Sequence, residues 1–512
     1  MASLRRDGPR LPPRRHTPPR DLIGVKGKLR RRFYEPILLL SAANEACCNK
    51  LAPQIEPLAD RNNLTTEQLY HNYINKLAQV CDIKSGGSYV TAIAALQRPD
   101  GVEYRIASNL RKEIEVVRMK EFVEDLLSTI CACTDETTNI VTAKVLSKVI
   151  LFNKARLRSS YVDRLAEHSS ACLNTSDLTP VVREKLTEVQ KLATDAKTPD
   201  AAAFIHRCFL LMKYIGKLSR SSAYRVFRDK ANANPPGVKD CPWRELRHAA
   251  RRLLSYLEAA QTLVEARFIA GWEPLFYDFT VTAIRSSQAE TNPMIAGGSP
   301  TASPTAAQIL NRMSSSCTPT QLAEHHENAN DLQRFDLDLL IQKQCQRPTF
   351  CPYVHAEVLV HESIVTDTNP AAGADTLHAS KFFGNFRYIG ASKPTCRLCE
   401  YYFLAVADGI RVRNSHRNLY LNWRAPNVYV DQAPIGGQTA ERRREDILNK
   451  MTARIRSDAF RTLSDKVAER KKHDSNTSQT YKHGGGSLLN SQPDDDLEDI
   501  ESTLADTHLY ND

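Results

Sequence analysis

His355 and Glu357 stand two positions apart, and Cys396 and Cys399, one helical turn from each other, follow 41 residues after the histidine. Few features restrict a fold more: if these side chains act together, two distant stretches must meet at one point. The segment 353–362 reads as a helix that begins just after Pro352, a residue suited to helix starts. Residues 386–389 read as a short buried strand. It runs through Gly390-Ala391-Ser392-Lys393-Pro394-Thr395 into Cys396-Arg397-Leu398-Cys399 and an apolar helix containing Tyr402, Phe403, Leu404 and Val406. The order is helix, strand, helix, with a ligand-type residue at the start of each helix.

Three protein ligands leave the fourth tetrahedral position of a Zn²⁺ ion open to water, whose pKa the metal lowers toward ~7. Two cysteines a turn apart can reach one ion, and a helix N-terminus favours their thiolates. Glu357, beside the metal but not on it, would carry protons from that water to a ring nitrogen and a leaving amine. C-x-x-C alone is a weak signal and H-x-E weaker. In this order the two form the pattern of zinc nucleobase deaminases. The competing arrangement adds Cys351 to make a closed Cys₃His site that only holds the fold together. Pro352 between Cys351 and His355 speaks against it, as does a glutamate left without a task. His361, six residues beyond His355, reads as a partly exposed histidine.

These residues resemble the cytidine deaminase-like superfamily, and look closest to a largely fungal branch of predicted nucleic acid or nucleotide deaminases. The resemblance rests on His355-Ala356-Glu357, on residues 389–393 and on Cys396-Arg397-Leu398-Cys399, and is specific over about 340–430. It implies an α/β class, an α/β/α sandwich whose five-stranded mixed sheet carries the zinc helices on one face. It departs from the usual pattern in that Thr395 separates Pro394 from the first cysteine. A helix and a β-hairpin precede the H-x-E helix in that superfamily. Here residues 64–83 have helical spacing and 89–108 read as a hairpin, turned by Arg98-Pro99-Asp100-Gly101. They come some 240 residues early, so the expectation is a large all-helical insertion. The resemblance also assigns Asn109, at the hairpin's end, to the substrate's sugar. It marks His416 and Trp423 for substrate contact, with Ser392 and Lys393 in the loop before the cysteines. Arg411, Arg413, Arg417 and Arg424 around them make a mixture suited to phosphates and bases.

The inserted block, 110–347, shows helical periodicity over 121–130, 143–157, 181–192, 201–218 and 244–268, with a Pro/Gly/Ser-rich linker near 288–306. We therefore expect a disordered basic arm at 1–33 and N-terminal helices with the first hairpin at 34–109. After the insertion come a zinc-binding core at 348–435, an amphipathic helix at 436–473 and a disordered acidic tail at 474–512. The segment 366–382 reads as a long loop and candidate lid. Charge supports the division: the arm carries +9 and the tail −8, leaving a modestly basic body. That balance suits a polyanion without requiring one. No apolar run spans a bilayer, so no membrane partner is expected. Thirteen cysteines without a disulfide-type pattern suggest an intracellular setting, cytoplasm or nucleus.

The function that follows is zinc-dependent hydrolysis of an amine from a nucleobase, cytosine ahead of adenine, in a nucleotide or single-stranded nucleic acid. The second reading is a catalytically inactive, zinc-stabilised scaffold that binds a protein partner through the helical insertion.

Overall fold

The computed structural model describes residues 21–51, 59–60, 64–233, 241–295, 303–367, 382–469, 481–482 and 494–505. Its centre is a mixed sheet of β1 (Thr91–Arg98), β2 (Gly101–Ser108), β3 (Phe279–Ala283), β4 (Tyr388–Ala391) and β5 (Arg411–Val412), in the order β3-β2-β1-β4-β5. β1 is antiparallel to both β2 and β4, while β2–β3 and β4–β5 are parallel, so β1 alone runs in reverse. The start of β1 and the ends of β2 and β4 thus share one edge, where Thr91 faces Ser108 and Ala92 faces Ala391. Strand carboxyl ends are the usual ligand side of such sheets.

The hairpin forms at its expected turn, Arg98 pairing with Gly101 across Pro99-Asp100. Gly101 adopts φ +135°, and a Cβ there would sit 2.0 Å from the Asp278 carbonyl oxygen. Only glycine lets the turn and the approach to β3 share this space. β3 was not expected. It lies within a stretch whose periodicity is otherwise helical, and one side of it is exposed, so it lacks the apolar run of a central strand.

Alternation sends the sheet's side chains into two cores. Ile93, Ala95, Tyr104 and Ile106 face α2 (Thr66–Cys81) and the block of α3 (Glu113–Cys131), α4 (Thr138–Phe152), α5 (Asp163–Leu173), α6 (Pro180–Asp195), α7 (Ala201–Arg220), α8 (Ser222–Ala233) and α9 (Pro242–Glu265). Gly390 allows α2 close to β4: a Cβ there would lie 2.5 Å from Ile74 Cγ2. Ala92, Ala94, Leu96, Ile389 and Ala391 face the other layer, with α1 (Gly27–Ala46), α10 (Ala306–Met313), α11 (Pro319–Asp331) and α12 (Leu337–Cys345). That layer is completed by α13 (Ala356–Val365), α14 (Arg397–Val406) and α15 (Gly437–Asp465). The result is the expected α/β sandwich with a large helical addition. Among the described residues no helix is long and apolar enough to cross a membrane.

The described parts of both tails hold secondary structure that composition does not suggest. Residues 1–20 lie outside the described residues, but Leu22–Ile23 pairs with Val428–Tyr429 and α1 starts at Gly27. In the acidic tail, α16 (Asp494–Ala505) buries Leu497, Ile500 and Leu504 against α4 and α7. Burial of three such side chains, at roughly 1.5–3 kcal/mol each, outweighs the solvation preference of the acids between them. The segment 366–382, the expected lid, lies almost wholly outside the described residues.

Candidate metal centre and active site

The first ligand helix starts later than the proline suggests. Residues 351–355 are extended, and α13 begins at Ala356 with His355 as its N-cap. The reason is long-range: Tyr353 bridges Trp423, its N–H donating to the Asn422 carbonyl at 3.3 Å, and the Val354 N–H donates to Ser287 Oγ at 2.8 Å. These contacts hold 353–354 extended against the neighbouring chain, and the helix begins after His355. The second helix starts as expected, capped by Cys396, whose sulfur accepts from the Cys399 N–H at 3.5 Å.

The two helix starts bring three ligand atoms together. His355 Nδ1 lies 3.5 Å from Cys396 Sγ and 3.4 Å from Cys399 Sγ. Bond lengths of ~2.0–2.1 Å to nitrogen and ~2.3 Å to sulfur in a tetrahedron require an N···S separation of roughly 3.5 Å. All three residues are buried, and they form a cluster that could hold a metal ion. Cys351 is not part of it; its thiol is directed to the Pro348 carbonyl. The described residues at the cluster are therefore a three-ligand set with one position left over.

Electrostatics agree with that donor set. Burial would depress the His355 imidazole, but the Cys396 sulfur and Glu357 overcome it and raise its pKa. Burial also opposes the Cys396 thiolate, yet the Cys399 thiol and His355 hold its pKa well below the usual value. Cys399 moves well upward, through burial and then the neighbouring Cys396 charge. Two sulfurs this close share one negative charge unless a cation is added. Glu357 is 3% exposed, and burial, opposed by His355 and reinforced by Cys396, pushes its carboxyl up to about 7.

The remaining expected residues fall into different places. Asn109 comes to the site, but both ends of its amide are held: Oδ1 accepts from the Ala356 N–H and Nδ2 donates to the Gly87 carbonyl, each at 2.7 Å. Lys393 reaches the same loop, donating to the Gly86 carbonyl at 2.5 Å. Ser392 is buried below, its hydroxyl bonded to the Thr91 N–H and Asp82. His416 is buried too, with Nδ1 accepting from the Asn418 N–H at 3.0 Å. Trp423 is fully buried between Phe33 and Tyr402, at ring-centroid distances of 5.6 and 6.1 Å. It cannot stack on a base from there. Its buried indole nitrogen has no hydrogen-bond partner, and Trp423 only partly offsets the upward push of burial on the Cys399 thiol. Arg413 donates to the Ala391 carbonyl, Arg417 pairs with Glu469 and Glu400, and Arg424 with Glu290. These cations hold loops to the core.

Tyr353 was missed. Its ring lies 5.2 Å from that of His355, it is half-buried, and its hydroxyl packs against Gly87. Burial, then the charges of Cys396, Cys399 and Glu357, raise its pKa to about 12. A tyrosine two residues before the histidine was visible in the sequence, but only the extended start of the segment brings it against Gly87. His361 was misjudged. It is fully buried, with Nδ1 2.9 Å from Tyr402 Oη and Nε2 2.7 Å from Asp408 Oδ2, and so joins α13 to α14.

The sheet and the cluster define a mixed α/β protein with a candidate three-ligand metal site at two helix N-termini. The model of the OTT_1508_deam-like deaminase family, in the cytidine deaminase-like clan, matches residues 354–427. The match covers both motifs and supports a deaminase. No curated protein and no solved structure matches the chain.

Proposed function

We propose that the chain is a zinc-dependent hydrolytic deaminase acting on a nucleobase, cytosine ahead of adenine, in a nucleotide or nucleic acid. One observation carries the reading: His355 Nδ1 stands about equally far from two cysteine sulfurs at tetrahedral spacing, with a buried carboxyl beside them. Zinc held by His355, Cys396 and Cys399 would supply Lewis acidity and an acidified water in its free position. Glu357 would take one proton from the attacking water and give it to the ring nitrogen, then take the remaining hydroxyl proton of the adduct and give it to the amine, which leaves as ammonia. Burial around Glu357 favours its taking up a proton. Tyr353, Asn109 and Lys393 form the rim through which the base enters, with Gly86 and Gly87 as its backbone wall. Residues 110–347 are read as an insertion into the deaminase domain, which fits the pairing of β1 with β4 in one sheet, while β3 returns from within that range to the same sheet.

The test is ammonia release by zinc-loaded protein from a panel of nucleosides, nucleotides and single-stranded oligonucleotides. Zinc bound stoichiometrically, with no ammonia from any of them, would leave a structural metal and end the enzyme reading.

A further inference from the structure

A second feature lies apart from the metal centre. A cleft of 1390 Å³ opens between α1, α10, α15 and the segment after β3. It exceeds the ~300–1,000 Å³ of ordinary small-molecule pockets. Lys28, Arg30, Arg31 and Arg32 line it from the first turns of α1, facing Arg312 of α10 and Arg456 of α15. Glu35 is the one acidic side chain in the described lining. It is already engaged, 2.7 Å from Arg312 Nε and 3.8 Å from Arg31 Nε. Arg456 is buried, donates to Ser316 Oγ at 2.9 Å and keeps a buried Nε without a hydrogen-bond partner. Burial, and then the nearby Arg32 charge, lower its pKa. The cleft therefore concentrates positive charge that its own carboxylate does not offset.

Two chemical features narrow the ligand. Five of the six cations are arginines, whose planar forks match phosphate oxygens. Among the described residues no aromatic ring lines the cleft, so these residues offer bases no platform to stack on. A free nucleotide needs such a platform; a polymer's backbone does not. The cleft wall formed by Thr291, Pro293 and Met294 follows directly on Glu290, whose N–H donates to the Pro352 carbonyl at 2.8 Å, three residues before His355. One chain segment thus runs from the extended stretch before His355 to the wall of the cleft.

We propose that this cleft holds the phosphodiester backbone of a single-stranded nucleic acid, which makes a polynucleotide rather than a free nucleotide the substrate class. The substrate assignment rests on the base-deaminase reading, whereas the backbone contact is measured without turnover.

The experiment uses the full chain and a 5′-fluorescein 20-nucleotide single strand, with anisotropy followed across a salt series. Each phosphate contact contributes a slope of about −0.7 in log affinity against log salt. Lys28→Glu combined with Arg32→Glu should weaken binding at least tenfold and flatten the slope by about 1.4, the share of two contacts. Lys28→Gln with Arg32→Gln should move both in the same direction, and circular dichroism verifies that each variant is folded. Equal binding by wild type and variants overturns the proposal, as does displacement of the strand by polyglutamate as efficiently as by unlabelled oligonucleotide. If strands bind through the cleft but no base loses ammonia, the backbone site stands and the deaminase reading falls. If free nucleosides are deaminated while variants bind strands like wild type, the reverse holds.

Discussion

The side-chain oxygen of Asn109 accepts a 2.7 Å hydrogen bond from the backbone N–H of Ala356, 247 positions further along the chain. Ala356 opens α13, and the N-cap itself, His355, makes no capping bond with its side chain. A helix start buried without a cap leaves donors unsatisfied. Asn109 fills that place from the end of β2, which frees the imidazole to face the two sulfurs.

Asn109→Ala should therefore act on the metal centre as well as on stability. The expected losses are about 1–2 kcal/mol, as for a lost cap, and roughly 10- to 100-fold in zinc affinity, as for the removal of an outer-shell partner. Competitive chelator titration and thermal melts read the two effects. Unchanged metal affinity would assign Asn109 to the substrate alone.

Glu357→Ala should retain one zinc per chain and lose about 10²- to 10⁴-fold in kcat, the usual share of a general acid–base group. Cys399→Ala should lose metal and turnover together. Metal analysis beside an ammonia assay separates the two.

His361 sets a pH window for stability. Both of its ring nitrogens face oxygens: Nε2 meets Asp408, and Nδ1 meets a Tyr402 hydroxyl that itself donates to Glu362 at 2.6 Å. Burial would lower the imidazole pKa, but the hydrogen bonds of Asp408 and Glu362 overcome it and raise it. The same pairing holds both carboxyls below their usual values despite burial. Arg443 also pulls these carboxyls down. A raised histidine stabilises fully below its unfolded pKa of ~6.5 and loses that contribution as pH rises through the folded value. The depressed carboxyls contribute above ~4 and lose it as pH falls. The Tm difference between wild type and His361→Gln should be largest between about pH 5 and 6 and shrink on both sides, with about 3–5 kcal/mol at stake. A flat difference from pH 5 to 9 would mean a neutral imidazole.

Trp423→Ala should cost about 3–5 kcal/mol, as for a large buried side chain. Trp423→Phe should be far milder and leave KM unchanged, because the ring lies in the core behind Cys399. A KM effect from Trp423→Phe at unchanged stability would restore it to the substrate's side.

The candidate ligand set was legible because its signals are local. Cys396 and Cys399 are one turn apart, His355 and Glu357 share a helix start, and the hairpin announces itself through Pro99-Asp100-Gly101. The helices α2, α3, α4, α6, α7 and α9 were equally visible, since an apolar stripe is written at three- and four-residue spacing. Strand β3, exposed on one side, left no such trace. Composition misled at the acidic tail, where three apolar residues of α16 count for more than the charges between them.

By itself, then, the sequence picked out the side chains that converge as a candidate metal site, the order in which helix, strand and helix present them, and the α/β class. Only the tertiary structure decided what surrounds them. It turned Trp423 and His361 inward, gave Asn109 to a helix start, set Tyr353 beside His355 and Gly87, and gathered the arginines of α1 with Arg312 and Arg456. The physical reason is range. Helix spacing and turn chemistry act over a few residues, whereas a cap, a buried ring or a cleft is made by partners hundreds of positions apart, whose meeting is fixed by packing.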